Sequence, residues 1–259
     1  MFNLPYQVAL EGALVFVRMS GMLFSLPFFG DKSIPVKVRI LLAVALSFMV
    51  YPLIETFWID ALPQSLMEYA TLIGKELFVG LLIGWVAKIA FEGLIAAAQI
   101  VGFQMGFGTA TLLAPGADQM MDAFTAFHRS LIILFFLALD LHLIYISAIV
   151  DTFQAIPAGA AIFRGGLGSF LIEVSASLFL VALQLSASVL VALLFAMSAL
   201  GLIARTVPQM NVFTMSFPIS FFIGILVYIA SLSFYPQWLR SHFAVSQDQI
   251  LQSIRGLMP

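Results

Sequence analysis

The sequence predicts an all-α integral membrane protein with about six long hydrophobic helices, and three observations lead there. Of its 259 residues 62% are apolar and only 9% are charged, whereas soluble domains run at about 45–50% and about 25%. A soluble fold of this length would lack the charge to cover its surface. The apolar residues also fall in runs of the ~20 residues that cross a ~30 Å hydrocarbon core. Finally, Pro27, Pro35 and Pro52 break or bound the first two runs, where the lost amide hydrogen and fixed φ of proline interrupt a helix.

Taken in order, residues 6–29 make the first segment, broken by Pro27, and residues 36–54 the second, entered through Pro35 and ended by Tyr51 and Pro52. The third spans 66–100, the fourth 128–150, the fifth 169–203 and the sixth 212–235, and a short amphipathic tail, 236–259, carries Arg240, Asp248 and Arg255. The N-terminal run reads as a membrane helix that is kept: Glu11 is its first charge and Arg18 lies inside it, unlike the basic start and small-residue cleavage site of a signal peptide. The third and fifth segments exceed one span. At ~1.5 Å per residue the fifth reaches about 52 Å as a single helix, more than tilt absorbs, so it either kinks or runs beyond the bilayer into an assembly.

Charge narrows the function classes. A net charge of −2 offers no basic surface to nucleic acid, and the absence of cysteine removes disulfides, thiolate zinc sites and cysteine nucleophiles. No HExxH, GxxxxGK, GxSxG or paired-carboxylate pattern is present, so no catalytic residue, cofactor or metal is assigned. Lys32, Lys37 and Arg39 in the first loop, against the acidic Glu55, Asp60 and Glu68 of the next, place the first loop in the cytoplasm. Strict alternation then brings Arg205 inside but leaves Arg164, Arg240 and Arg255 outside, as expected of a chain embedded in an oligomer rather than in plain lipid.

Four features stand out. Glu76, Gly80, Gly84, Lys88 and Glu92 recur every four residues and continue to Ala96, a stripe on one helix face whose GxxxG pair admits a close neighbour. That neighbour is either another helix of the same chain or a partner subunit. Ser188, Ala192 and Ala196 form a second small-residue row, with Ser175, Ser177, Gln184 and Ser186 available for hydrogen bonds across a helix contact. Residues 102–121 hold Gly102, Gly106, Gly108, Gly116 and Pro115, which oppose a continuous helix, yet are rich in Phe103, Met105, Phe107, Leu112, Leu113, Met120 and Met121. An apolar loop hinged by glycine at membrane depth survives only where protein buries it or it lines a cavity. It reads as a buried connector or as a movable plug, and composition alone favours the connector. Last, His128 and His142 are nearly four helical turns apart with Asp140 beside the second, which suits a shared face and a proton relay or, more simply, helix-end residues reaching the interface.

The run Arg205-Thr-Val-Pro208-Gln209-Met-Asn211-Val-Phe213 is a polar turn between two long apolar helices, in which Pro208 stops one and Asn211 caps the next. It resembles the R-x-x-P-Q-x-N-V-F turn of the FliR family of flagellar biosynthetic proteins and its virulence-secretion counterparts. Arg18-Met-Ser-Gly21 with Pro27, Gly30, Pro35 and Arg39, then Glu76 with Gly80 and Gly84, then Gly102-Phe-Gln-Met-Gly106, are similar to further family patterns in the same order. The likeness covers about residues 10–235 and leans to the flagellar branch. It implies a FliP-like helical region at 1–168, a FliQ-like helical hairpin at 169–235 with Arg205, Pro208, Gln209 and Asn211 at its cytoplasmic tip, and the tail 236–259. It also implies assembly with FliP and FliQ into an export gate in the bacterial inner membrane, engaged by FlhB and FlhA, that passes unfolded flagellar proteins. The family's plug loop falls on residues 106–121, which turns the balance from connector to plug. Two rivals stand beside this reading: a secondary transporter using Asp140 and His142, which would show an inverted repeat that is not seen, and a scaffold without gating.

Overall fold

A computed structural model of the chain describes residues 3–26, 34–54, 63, 65–107, 123–161, 167–206 and 211–255. Among these residues the secondary structure is helical throughout, with no strand. The helices are α1 (Asn3–Ser25), α2 (Val36–Val50), α3 (Leu66–Gln104), α4 (Ala123–Ala138), α5 (His142–Ala155), α6 (Leu167–Thr206), α7 (Val212–Ser231) and α8 (Tyr235–Arg255), with 3-10 turns at Tyr51–Leu53 and Leu232–Phe234. Five stretches among the described residues are long and apolar enough to cross a membrane, and six if α4 and α5 count as one broken span. The all-α membrane architecture is therefore as expected.

Each boundary has a local cause. Helix α1 closes before Pro27, its last turn held by the Leu26 amide donating to Met22 O at 3.0 Å. Helix α2 starts at Pro35, whose carbonyl accepts from Val38 N and Arg39 N, and the Arg39 guanidinium folds back onto Ile34 O from Nε and Nη2 at 3.1 and 2.9 Å. The Ser65 hydroxyl accepts from Glu68 N at 3.2 Å to open α3, one half of a capping box. Asn211 caps α7 by accepting from Thr214 N at 3.3 Å, the role its motif position suggested. The two overlong segments are uninterrupted helices of 39 and 40 residues, about 58 and 60 Å at 1.5 Å per residue.

The fourth segment departs from expectation. Residues 128–150 are two helices, because α4 ends in a Schellman motif: Leu141 N donates to Phe136 O at 3.0 Å and Asp140 N to Leu137 O at 3.1 Å. Asp140 sits at the left-handed position, φ 56°, usually taken by glycine. Asp140→Gly is accordingly expected to raise stability by up to about 1 kcal/mol, read as a higher midpoint of thermal unfolding in detergent. The expected amphipathic tail is helical. Residues 235–255 form α8, and its buried positions Tyr235, Leu239, Phe243, Ser246, Ile250 and Ser253 repeat at spacings of three and four, the period of one helix face.

The chain divides into two compact units. The first gathers Met1–Phe91, His142–Val174 and Phe243–Pro259. Its core sets Phe243 against Phe91 (ring centroids 4.9 Å) and Tyr145 (6.0 Å), and the Tyr145 and Ser246 hydroxyls lie 3.3 Å apart. The second gathers Glu92–Leu141 and Ser175–His242. There Gly93 lets α3 approach α6, where an added Cβ would lie 3.0 Å from Val181 Cγ1.

Candidate functional site

In the second unit the site is built around the end of α3. The helix stops in a second Schellman motif, with Phe107 N donating to Gly102 O and Gly106 N to Phe103 O, and Gly106 at φ 93°. A Cβ at Gly106 would also collide with the Phe217 ring, so glycine is required twice over. Met105 is wholly buried against Gly224, where any side chain would strike it. Directly after the turn, Phe107 stacks on Phe124 of α4 with ring centroids 5.8 Å apart and tilts against Phe221 of α7 at 5.7 Å. Phe124 in turn meets Tyr228 edge-on at 4.9 Å. His128 shares a 2.8 Å hydrogen bond with the Tyr228 hydroxyl and lies edge-on to Tyr235 at 5.7 Å.

The consequence is a stem. The chain leaves at Phe107 and returns at Ala123–Phe124, and the Phe107–Phe124 stack joins the two ends of the apolar connection. Edge-to-face and offset ring pairs contribute about 0.5–1.5 kcal/mol each beyond the area they bury, so a connected set of them fixes both ends. Of the residues expected to form the plug, Phe107 belongs to the stem, Met105 to the core beneath it, and Phe103 to the exposed face of α3. Gly102 is a buried residue of α3 and not a hinge, because the helix runs on to Gln104 and Gly102 O receives the capping bond. Gly108, Leu112, Leu113, Pro115, Gly116, Met120 and Met121 lie outside the described residues. Phe124, Tyr228 and Tyr235 were not singled out from sequence; the available signal was an aromatic residue immediately beyond the glycine-rich run.

In the first unit the four-residue stripe of α3 has an internal partner. An added Cβ at Gly80 would strike the Arg18 carbonyl, and one at Gly84 would lie 2.6 Å from Met22 O, while Gly21 of α1 answers with 2.9 Å to Leu77 O. Of the two neighbours left open for Gly80 and Gly84, the subunit contact is therefore corrected and the internal one stands: α1 of the same chain occupies that face. Glu76 completes the contact. Arg18 Nε and Nη2 donate to its two carboxylate oxygens at 2.7 and 3.0 Å, and both side chains have zero exposure. Arg18 also donates to Thr152 Oγ1 and Ile156 O, both at 3.2 Å, and lies 3.8 Å over the Phe153 ring. Glu76 Oε1 accepts from Gly159 N at 2.9 Å, and Lys75 Nζ donates to Gly159 O at 3.0 Å. One bidentate pair thus joins α1, α3, α5 and the turn after α5. Lys88 is exposed and Glu92 half-buried, so the stripe does not continue as a buried row.

The remaining candidates are dispersed. Arg205 is exposed in the last turn of α6, and Pro208 and Gln209 lie outside the described residues. Ser188 is exposed on α6, with Ala192 and Ala196 half-buried. His128 and His142 lie on separate helices, α4 and α5, because α4 ends before Asp140, and not on the single helix the fourth segment suggested. Among the described residues no group of three His, Asp or Glu side chains is placed to hold a metal ion.

The pattern of the family described as bacterial export proteins, family 1, matches residues 9–245. The chain is 29% identical over 251 residues to the flagellar biosynthetic protein FliR of Bacillus subtilis, covering 95% of this chain and 93% of that protein. It is 28% identical to FliR of Caulobacter vibrioides, with 90% and 92% covered, and 28% identical to FliR of Escherichia coli, with 81% and 79% covered.

Proposed function

Because the chain belongs to family 1 of the bacterial export proteins, we propose that it is a non-enzymatic subunit of the flagellar type III export gate. It resides in the bacterial inner membrane at the flagellar basal body and forms part of the channel that unfolded flagellar proteins cross. The likeness over nearly the full length of several flagellar biosynthetic proteins supports this reading, as do α3 and α6, each far longer than one bilayer span. FliP and FliQ are its partners in the gate, with FlhB and FlhA engaging the assembly. The region 1–168 corresponds to a FliP-like part, and α6 with α7 to the FliQ-like hairpin.

The observation that carries the mechanism is the stem: Phe107 and Phe124 hold both ends of an apolar, glycine-bearing connection in one aromatic pack. Residues 106–121 close the channel as a plug, packing bulky and adaptable Phe, Leu and Met side chains across it, while the stem keeps the plug attached when export displaces it. Deleting residues 109–119, which spares the stack, is expected to make cells leak small solutes through an assembled gate. An unchanged seal in a gate that still co-purifies with FliP and FliQ would refute the plug. Recovery of the tagged protein alone, free of those partners, would refute the gate itself.

A further inference from the structure

Helix α7 holds both ends of the apolar connection on one face. Phe221 meets Phe107, Gly224 receives Met105, and Tyr228 meets Phe124 and His128. These positions lie three and four residues apart, the period of a single stripe, and Ser220, Gly224 and Tyr228 are buried along it. Upstream the helix is different. Of the side chains described among residues 211–219 none is buried, and Phe217 is 52% exposed. Yet the Phe217 ring reaches the root of the connection, where a Cβ on Gly106 would lie 2.6 Å from Phe217 Cδ2.

Pro218 stands between these two parts, inside the helix. It has no amide hydrogen for the carbonyl four residues back, that of Thr214, and its ring crowds that carbonyl, so a helix bends most readily there. The first turns of α7 thus combine an exposed surface, the mark of low local stability, with a weakened joint and one large side chain seated over a glycine. We propose that residues 211–217 are a latch hinged at Pro218, an inference that rests on the plug reading above. Seated, the Phe217 ring restricts the wide backbone freedom of Gly106 and fixes the direction in which the chain departs. Swung out about Pro218, the ring frees Gly106 to redirect the plug, while Phe221, Gly224 and Tyr228 keep the stem in place. The latch begins at the Asn211 cap, so a load on the polar turn ahead of it reaches the plug through one aromatic ring.

Two substitutions test the latch in the assembled gate, in cells. Phe217→Ala removes the pin and is expected to raise the leakage of small solutes several-fold. Pro218→Ala gives the Thr214 carbonyl its amide donor and stiffens the joint, and is expected to lower secretion of flagellar proteins several-fold with the seal intact. Were Pro218 of structural importance alone, alanine, the better helix former, would leave secretion undiminished, and that result overturns the latch. A tight seal in Phe217→Ala overturns it too, as does loss of FliP and FliQ from that variant, which would place the ring in a subunit contact. The deletion of residues 109–119, assayed alongside, separates the two readings: if it leaks and Phe217→Ala does not, the plug stands and the latch fails, and if it does not leak, both fail. Because the chain has no cysteine, spin labels on Met215→Cys and Phe127→Cys, at exposed positions of α7 and α4, report the latch directly. Their separation is expected to change when a stalled export substrate occupies the gate; one unchanged distance overturns the proposal.

Discussion

Replacing Arg18 by methionine is expected to destabilise the isolated chain by about 3–5 kcal/mol, the usual consequence of removing one partner of a buried ion pair. The loss arises less from the attraction forfeited than from Glu76, left charged at zero exposure with one oxygen on Gly159 N. The paired change Arg18→Met with Glu76→Gln separates these contributions. Its amide oxygen still accepts from Gly159 N and no charge remains, so more than half of the loss should return, as when buried ion pairs are replaced by neutral groups. Thermal or denaturant unfolding in detergent, followed by helical circular dichroism, measures both. If the double variant is no more stable than the single, the packing of the guanidinium on Phe153, and not its charge, holds α1 in place.

What could be read from sequence divides along a physical line. Long apolar runs declare themselves, and so do proline boundaries, which is why α2 and the start of the turn at Tyr51 lay where expected. The Asn211 cap followed from residue type and position. Contacts between distant parts of the chain carry no such mark. Arg18 and Glu76 are 58 residues apart, and Arg18 and Thr152 134 apart; each was visible as a charge or hydroxyl in an apolar run, but not as the other's partner. The glycine stripe gave a close helix approach correctly and left its partner open, because GxxxG specifies a distance between backbones and not an identity. The break at Asp140 was hidden because an aspartate, not a glycine or proline, takes the left-handed position. Residues 236–259 were read as a short amphipathic tail, and Tyr235, Leu239, Phe243, Ser246 and Ile250 are the buried face of that pattern, although what the face packs on was not legible.

The proposed plug and the ionic node also differ in what each asks of sequence. The bulk, adaptability and glycines of residues 102–121 are compositional and legible without a structure, but composition alone favoured a buried connector, and the plug reading at 106–121 came from the family resemblance. The stem needs two aromatic rings on either side of that stretch to meet, and only coordinates bring Phe107 to Phe124. Gly106 links the two levels: its left-handed φ ends α3, and the missing side chain admits the Phe217 ring, so a single residue sets where the connection begins and how closely α7 approaches it.

Gly80→Val supplies the other large effect, and its value lies in where the damage appears. The new side chain would strike the Arg18 carbonyl, which is backbone and cannot rotate away, so α1 and α3 must separate. Overpacking of this kind costs about 1–3 kcal/mol or more. Separation would also lengthen the 2.7 Å Arg18–Glu76 contact one turn away, adding part of the ion-pair loss to the steric one. Gly74→Ala and Gly12→Ala are the controls, since an added Cβ at either position meets nothing within 4 Å and alanine is the better helix former by about 1 kcal/mol. A face used between subunits would leave the unfolding midpoint of the isolated chain untouched and abolish only co-purification with partners. A face used within the chain lowers that midpoint before any partner is added, and the geometry at Gly80 requires the second result.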